Sequence, residues 1–330
     1  MKLGIIGSGI IVTEFLPKLV KMEGMEVTAV MDIPQAKEHL EQLCNENDIH
    51  NTYVDYDEFI RQDMDTVYVA VPNFLHYDYC RKVLLSGKNV IVEKPMCAND
   101  RETKDLKRIA DEKNLFIFEA ITTLHFESYR KIQEWLPRIG TVKLVNCNYS
   151  QYSRRYNAFR EGTVLPAFDP EKAGGALMDL NLYNLHFVMG LFGKPETVRY
   201  YANTERNIDT SGEVIMQYDG FIANCTAAKD CAAPGTFVIQ GIDGYIQMEC
   251  PPNVIGKVKL HLNDGTEEEF DDGMRKERLI PEFRDFISII NAGDRKAYSW
   301  YLSKSIQVSE VQTQARIDAG IRFPGDEVEL

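Results

Sequence analysis

Three groups of residues in this 330-residue chain have types and spacings that could do chemistry. The first is Gly7-Ser8-Gly9-Ile10-Ile11-Val12, a two-glycine turn after an apolar run. The first glycine permits a tight turn, and the second lets backbone N–H groups approach a pyrophosphate. A helix starting there adds a favourable dipole. Such a fingerprint normally has Gly or Ala third, where helix packs on strand; here Val12 holds that place. Asp32 stands 20 residues beyond Val12, the spacing for hydrogen bonds to an adenosine ribose. Its carboxylate would repel a 2′-phosphate, and the next residue is Ile33 rather than a lysine or arginine. NAD is therefore expected ahead of NADP.

The second group is Val71-Pro72-Asn73-Phe74-Leu75-His76 together with Glu93-Lys94-Pro95, each following a short apolar run. A lysine directly after a buried strand, braced by proline, can be partly desolvated and readied for proton work. His76 taken alone reads as a capping or packing residue, and Glu93 as a partner of the lysine or a cofactor contact. The third group is Gly174-Gly175-Ala176-Leu177-Met178-Asp179-Leu180-Asn181-Leu182-Tyr183. On a helix, Asp179 and Tyr183 are i and i+4 and share a face, with His186 close to it. An acid and a phenol stacked this way could relay a proton to a carbonyl or hydroxyl.

The elements that must position these residues are legible in outline. Lys2–Gly7, Glu26–Met31, Thr66–Val71, Asn89–Val92 and Leu115–Phe118 read as buried strands, alternating with helices over Ile10–Met22, Gln35–Asn45 and Phe74–Ser86. A further helix starts at Asn99, with Glu102 completing a capping box. Strand–helix alternation implies parallel strands with right-handed crossovers, hence an α/β Rossmann domain, a doubly wound parallel sheet, over residues 1–121. Over residues 122–330 the pattern changes. Helices near Tyr129–Leu136 and Ala176–Phe192 accompany strands at Val142–Ser150, Glu196–Ala202, Gly212–Tyr218, Phe221–Ala227, Thr236–Gln240, Tyr245–Glu249 and Lys257–Leu262. Asp219-Gly220 and Asp264-Gly265 are hairpin dipeptides. Glu282–Asn291 and Trp300–Ala319 read as closing helices. This is an α+β domain with a large open, mostly antiparallel sheet of about six strands. A sheet with helices on one face leaves the other needing cover, so a homodimer or homotetramer is expected.

Composition narrows the class. The net charge is −13, with 37 basic and 50 acidic residues, which disfavours nucleic acid or an anionic membrane as partner. No apolar run reaches the roughly 18 residues of a membrane span. The opening segment meets Glu14 at once and lacks a small-x-small cleavage site, so it does not read as a signal peptide. Seven cysteines without a CxxC pair suit a reducing cytoplasm and give no metal-ligand spacing, so no metal is expected.

Taken in order, the glycine turn, Glu-Lys-Pro and Gly-Gly-Ala-Leu-x-Asp-x-x-x-Tyr resemble the Gfo/Idh/MocA oxidoreductase family. The Val-Pro-Asn-x-x-His segment and Glu119-Ala120 extend the likeness over essentially the whole chain. The resemblance implies a Rossmann domain, a C-terminal α/β domain and subunit pairing. It implies that Lys94 is the catalytic lysine, Asp179 the acid of the second motif, and Tyr183 the group standing where many members have histidine. Tyrosine there is similar to the dihydrodiol dehydrogenase and glucose–fructose oxidoreductase branch. Cofactor contacts are implied for Gly7, Ser8, Gly9, Ile10, Ile11, Asp32, Pro72, Asn73, His76, Glu93 and Lys94. His125, Arg155 and Tyr156 are candidates for lining the substrate pocket.

The implied activity is NAD(P)-dependent hydride transfer at a hydroxyl or carbonyl carbon of a sugar, polyol or dihydrodiol-like substrate. Tyr183 would exchange the hydroxyl proton. Lys94 would polarise the substrate oxygen and lower the phenol pKa from about 10. Asp179 would orient substrate hydroxyls or fix the lysine. The roles of Lys94 and Tyr183 are interchangeable at this level. Two rivals share the fold: a lyase or glycosidase that retains NAD for transient oxidation, and a non-catalytic dinucleotide-binding regulator. The regulator would be expected to lose Lys94 or the polar residues of the third group, all of which are present.

Overall fold

A computed structural model describes residues 1–326. Short apolar runs separated by helices can hide both faces only in a parallel sheet covered on each side. The first part of the chain folds that way. β1 (Lys2–Ile6), β2 (Glu26–Met31), β3 (Thr52–Tyr53), β4 (Thr66–Val69), β5 (Asn89–Glu93) and β6 (Ile117–Ala120) form one sheet in the order β3-β2-β1-β4-β5-β6. Every pair in it is parallel. The intervening helices are α1 (Ile10–Leu19), α2 (Lys37–Asn45), α3 (Tyr56–Ile60), α4 (His76–Leu85) and α5 (Asp100–Glu112). Strand order reverses between β1 and β4, and ligands of such sheets bind beyond the carboxyl ends of the strands at that point.

Local chemistry sets the boundaries. Asn99 Oδ1 accepts a hydrogen bond from the Glu102 N–H at 3.0 Å and caps α5, as expected. The return arm falls one residue earlier than a standard capping box, with Glu102 Oε2 accepting from the Ala98 N–H at 3.1 Å. α1 stops at Leu19 rather than Met22. Val12, the residue in place of the usual Gly or Ala, is buried beneath it.

Among the described residues the chain forms two compact units: Met1–Ala120 with Phe283–Ser303, and Ile121–Glu282 with residues 304–326. In the first, late aromatic residues return to the sheet. Phe283 packs its ring 4.9 Å from Phe15 and 5.1 Å from Tyr68, and Phe286 lies 4.8 Å from Phe118.

The second unit holds α6 (Glu127–Trp135), β7 (Val142–Ser150), α7 (Arg154–Arg160) and α8 (Leu182–Phe192). β8 (Thr197–Glu205), β9 (Ile208–Tyr218), β10 (Phe221–Ala228), β11 (Thr236–Gly241), β12 (Gly244–Met248), β13 (Val258–Leu262) and β14 (Glu267–Phe270) follow. The closing helices are α9 (Ile280–Ala292) and α10 (Arg295–Asp318). The sheet has eight strands, not about six, in the order β14-β13-β12-β11-β7-β10-β9-β8. β7 and β10 pair in parallel and the other pairs are antiparallel. The unexpected strand is β14, whose Glu267-Glu268-Glu269-Phe270 sequence looks too charged for a strand. It is an edge strand, and Glu269 faces Lys257 at 2.9 Å and Lys259 at 3.4 Å.

One face of this sheet buries Val145, Cys147, Ala223, Cys225, Phe237 and Ile239. α8 packs on β7 and β10, with the Phe187 and Phe237 rings 4.1 Å apart. The opposite face is different. Ile222, Leu144, Gln240 and Tyr245 stand in one register row across four neighbouring strands. Ile222 and Leu144 are 47% and 45% exposed, and Tyr245 is 38% exposed.

Candidate active site

The glycine turn joins β1 to α1 at the reversal point. Gly7 has φ +104°, and a Cβ there would lie 2.3 Å from the Ala70 carbonyl oxygen, so only glycine fits. Gly9 precedes α1 with no side-chain cap and open space around it, which leaves the helix N-terminus approachable. Asp32 ends β2. Its Oδ2 accepts from the Ser8 N–H and the Ser8 hydroxyl, both at 2.6 Å, and its Oδ1 accepts from the Ile33 N–H at 2.7 Å. Three of about four acceptor positions on the carboxylate are thus used, leaving about one for a ligand hydroxyl. A cleft of about 510 Å³ is lined by Ser8, Gly9, Ile10, Thr13, Glu14, Asp32, Ala36 and His39. Ile10 is exposed in it, and Ile11 is half-buried on the first turn of α1. The bare helix start, the close approach at Gly7 and the carboxylate at the far side fit a dinucleotide's pyrophosphate and ribose.

Beyond β4 and β5 the second group is brought together. Pro72 leads into a short 3₁₀ turn over Asn73–Leu75, which runs into α4 at His76. His76 is fully buried, with Nδ1 2.7 Å from the Pro95 carbonyl and Nε2 2.8 Å from the Val71 carbonyl. Burial lowers its pKa below the usual 6.5, against the pull of those two carbonyls. Expected among the cofactor contacts, His76 instead ties the loop after β4 to the loop after β5. The Tyr68 hydroxyl donates to Glu93 Oε1. The Met96 N–H donates to Glu119 Oε1 at 2.9 Å. Lys94, half-buried and followed by a cis Lys94-Pro95 peptide, is therefore held by bonds on both sides.

The third group lies in the second unit. The expected uninterrupted α-helix over Ala176–Phe192 begins instead with a π-helical turn over Leu177–Asn181, which carries Asp179. Such turns recur at functional sites. Gly175 has φ +105°, and a Cβ there would lie 2.1 Å from Asp209 Oδ1. Asp209 is buried and accepts from the Leu177 N–H at 2.6 Å and the Tyr200 hydroxyl at 2.7 Å, so it holds the start of the turn. Gln312 Nε2 donates to the Leu177 carbonyl at 3.1 Å. Asn181 and Asn184 pin the helix to β10 by donating to the Cys225 and Thr226 carbonyls at 2.9 and 3.0 Å. Tyr183 is 5% exposed, its ring 5.8 Å from that of Tyr149. His186 is buried.

Asp179 Oδ2 lies 2.9 Å from Lys229 Nζ. Lys229 was not singled out by sequence reasoning. The one signal available was its position directly after a strand, the same placement as Lys94.

The substrate candidates sit on two elements of the second unit. His125 is buried at the end of a 3₁₀ turn over Thr122–His125. Arg155 and Tyr156 sit on α7, with Arg155 exposed. The Tyr156 hydroxyl donates to Glu205 Oε1, and that bond pushes its pKa up to about 12. The structure thus gathers Gly7, Asp32, Asn73, Glu93 and Lys94 at the carboxyl end of the parallel strands, and Asp179 and Tyr183 on the π turn and the helix that continues it.

Residues 1–120 match the model of an oxidoreductase family with an NAD-binding Rossmann fold, and residues 129–247 match the GFO/IDH/MocA C-terminal domain. The chain is 30% identical over 330 residues to scyllo-inositol 2-dehydrogenase (NADP(+)) IolU of Bacillus subtilis, covering 99% of each. It is 24% identical over 349 residues to the Mus musculus trans-1,2-dihydrobenzene-1,2-diol dehydrogenase, again covering 99% of each. Among solved structures, levoglucosan dehydrogenase in complex with NADH and levoglucosan has the same fold, with TM-score 0.82 at 17% identity and 97% of each chain covered. No helix among the described residues is long and apolar enough to cross a membrane. The chain belongs to the GFO/IDH/MocA family and is an NAD(P)-dependent oxidoreductase of the dehydrogenase/reductase kind.

Proposed function

We propose that this enzyme oxidises a ring carbon bearing a hydroxyl group, or reduces the matching ketone, in a polyhydroxylated substrate such as a cyclic polyol, sugar or dihydrodiol. The observation that carries the reading is the Lys94 loop, fixed through Glu93, Pro95 and Met96 at the carboxyl ends of the parallel strands. A lysine on a loop fixed in this way can present its ammonium to a substrate oxygen. The relatives support the substrate class, since scyllo-inositol and trans-1,2-dihydrobenzene-1,2-diol are both rings with adjacent hydroxyls.

The nicotinamide, when bound, supplies or accepts the hydride. The backbone of Gly7, Ser8, Gly9, Ile10 and Ile11 would hold the pyrophosphate, and Asp32 would hold the ribose. Pro72, Asn73, Glu93 and Lys94 would border the reactive end, and His76 braces their loops. Tyr183 Oη would exchange the substrate hydroxyl proton, Lys94 Nζ would polarise a substrate oxygen, and Asp179 would orient a substrate hydroxyl. The domain of residues 1–121 serves the cofactor, and residues 122–330 serve substrate and subunit contacts.

The cleft beside Asp32 also contains Glu14, and no lysine or arginine lines it. That favours NAD, although the Bacillus relative is named for NADP(+). The exposed row Ile222, Leu144, Gln240 and Tyr245 supports a homo-oligomer built on the open sheet face. All seven cysteines are free thiols, which suits a reducing cytoplasm.

The test is a panel of inositols, aldoses and trans-dihydrodiols with NAD and NADP in parallel, read at the nicotinamide absorbance. We expect net absorbance change with at least one ring polyol. We expect kcat/KM with NAD to exceed that with NADP by about tenfold, the effect of a ~1.4 kcal/mol repulsion. Product formed without net absorbance change would place the enzyme with the rival that recycles its cofactor. Equal rates with both cofactors would remove the NAD preference.

A further inference from the structure

Lys229 is a buried cation that the proposed chemistry has not used. It is 2% exposed, directly follows β10, and its backbone is fixed at both ends. Its N–H donates to the Thr210 carbonyl at 2.8 Å, and its carbonyl accepts from the Ser153 N–H at 2.9 Å. Its ammonium has three neighbours. Asp179 Oδ2 lies at 2.9 Å, the Ala167 carbonyl oxygen at 2.7 Å, and the Phe168 ring centroid at 4.8 Å. The Asp179 side chain remains 33% exposed. The pair is therefore asymmetric, with its cation sealed inside and its anion reaching the surface of the second unit.

That asymmetry has a consequence. A carboxylate on a π turn can rotate about two side-chain torsions, and an exposed one would sample several directions. A buried ammonium held by the Ala167 carbonyl favours the directions that keep the ion pair, since a departure leaves that charge with only the buried Asp209 carboxylate, which also feels it. The Ala167 carbonyl completes the clamp. The same peptide accepts the Gly175 N–H at 3.1 Å, so the segment that receives the ammonium also holds the turn leading to Asp179.

We propose that Lys229 is a positioning residue: its buried ammonium aims the Asp179 carboxylate for a substrate hydroxyl. The proposal rests on the reading of Asp179 as a substrate-orienting group. It acts on substrate alignment and leaves the cofactor cleft, built entirely from the first unit, untouched.

The experiment compares wild type, K229Q, K229M, D179N and the K229Q/D179N double variant for kcat, KM for the best polyol, and NADH affinity by fluorescence titration. Glutamine can still donate to the Ala167 carbonyl but lacks the charge. If Lys229 aims Asp179, K229Q and K229M lose kcat/KM alike, by about 10- to 100-fold, the scale of a small misplacement at a reacting centre. NADH affinity then stays unchanged, and the double variant is no worse than D179N. Recovery of wild-type kcat/KM in K229Q overturns the proposal and makes Lys229 a packing residue. A further tenfold loss in the double variant relative to D179N also overturns it. Wild-type kcat/KM in D179N overturns the reading of Asp179 itself, a distinct outcome. The comparison of D179N with the double variant holds even if K229Q alone fails to fold, because removing both charges leaves neither one buried unpaired.

Discussion

His76 has neither ring nitrogen available to a ligand, because the Pro95 and Val71 carbonyls face both. Its contribution is to hold the loop that carries Lys94. Because burial holds its folded pKa below the usual 6.5, the unfolded chain takes up a proton first as pH falls. His76 therefore lowers stability progressively below about pH 6.5, by at most ~1.4 kcal/mol per pH unit, and has no such effect above it. Thermal unfolding of wild type and His76→Gln between pH 7.5 and pH 5 checks this. We expect the wild-type midpoint to fall more steeply with acid than the variant's, and equal slopes would contradict the assignment. Among single residues, Lys94, Asp179 and Tyr183 were legible because each is a polar residue in a revealing place, at a strand end or beside a glycine pair. Lys229 and Asp209 were not. What distinguishes them is burial against partners 50 and 32 residues away, from Asp179 to Lys229 and from Leu177 to Asp209.

At the level of elements, the first sheet was readable because its strands are short continuous apolar runs that can only be buried on both faces. Thr66–Val69 is the clearest, with all four residues buried. The second sheet was harder. The β8–β9 turn uses Arg206 and Asn207 at φ 50° and 64°, without a glycine to announce it, so both strands run longer than expected. β14 was missed because its charge is offset by lysines on the neighbouring strand, a pairing visible only once the strands are adjacent. The π turn at Leu177–Asn181 also left no mark in the apolar pattern. It depends on Gln312 and Asp209 satisfying backbone groups at Leu177, and both come from distant parts of the chain. Residues 283–303 join the first unit through Phe283 and Phe286, whose spacing reads equally well as the buried face of any helix.

Across the whole molecule, the net charge of −13 describes the solvent-facing shell, while the groups argued to do chemistry are one lysine, an aspartate and a tyrosine, with a second lysine positioning the aspartate. The open face of the eight-stranded sheet is the other large-scale feature. If a second copy covers the row through Ile222, then Ile222→Glu places a charge inside that contact and shifts the protein to monomer. Light scattering at micromolar concentration reads this directly. A wild-type protein that is already monomeric would contradict the oligomer.

The central claim is that Lys94 acts on the substrate oxygen while the glycine turn and Asp32 supply most of the hold on the dinucleotide. The measurement that tests it most directly is turnover of Lys94→Met on the best polyol from the panel, beside its NADH affinity. We predict a loss of kcat of at least about 100-fold, the usual scale for removing a group that assists proton transfer, with NADH affinity nearly unchanged. Turnover at the wild-type rate would contradict the claim.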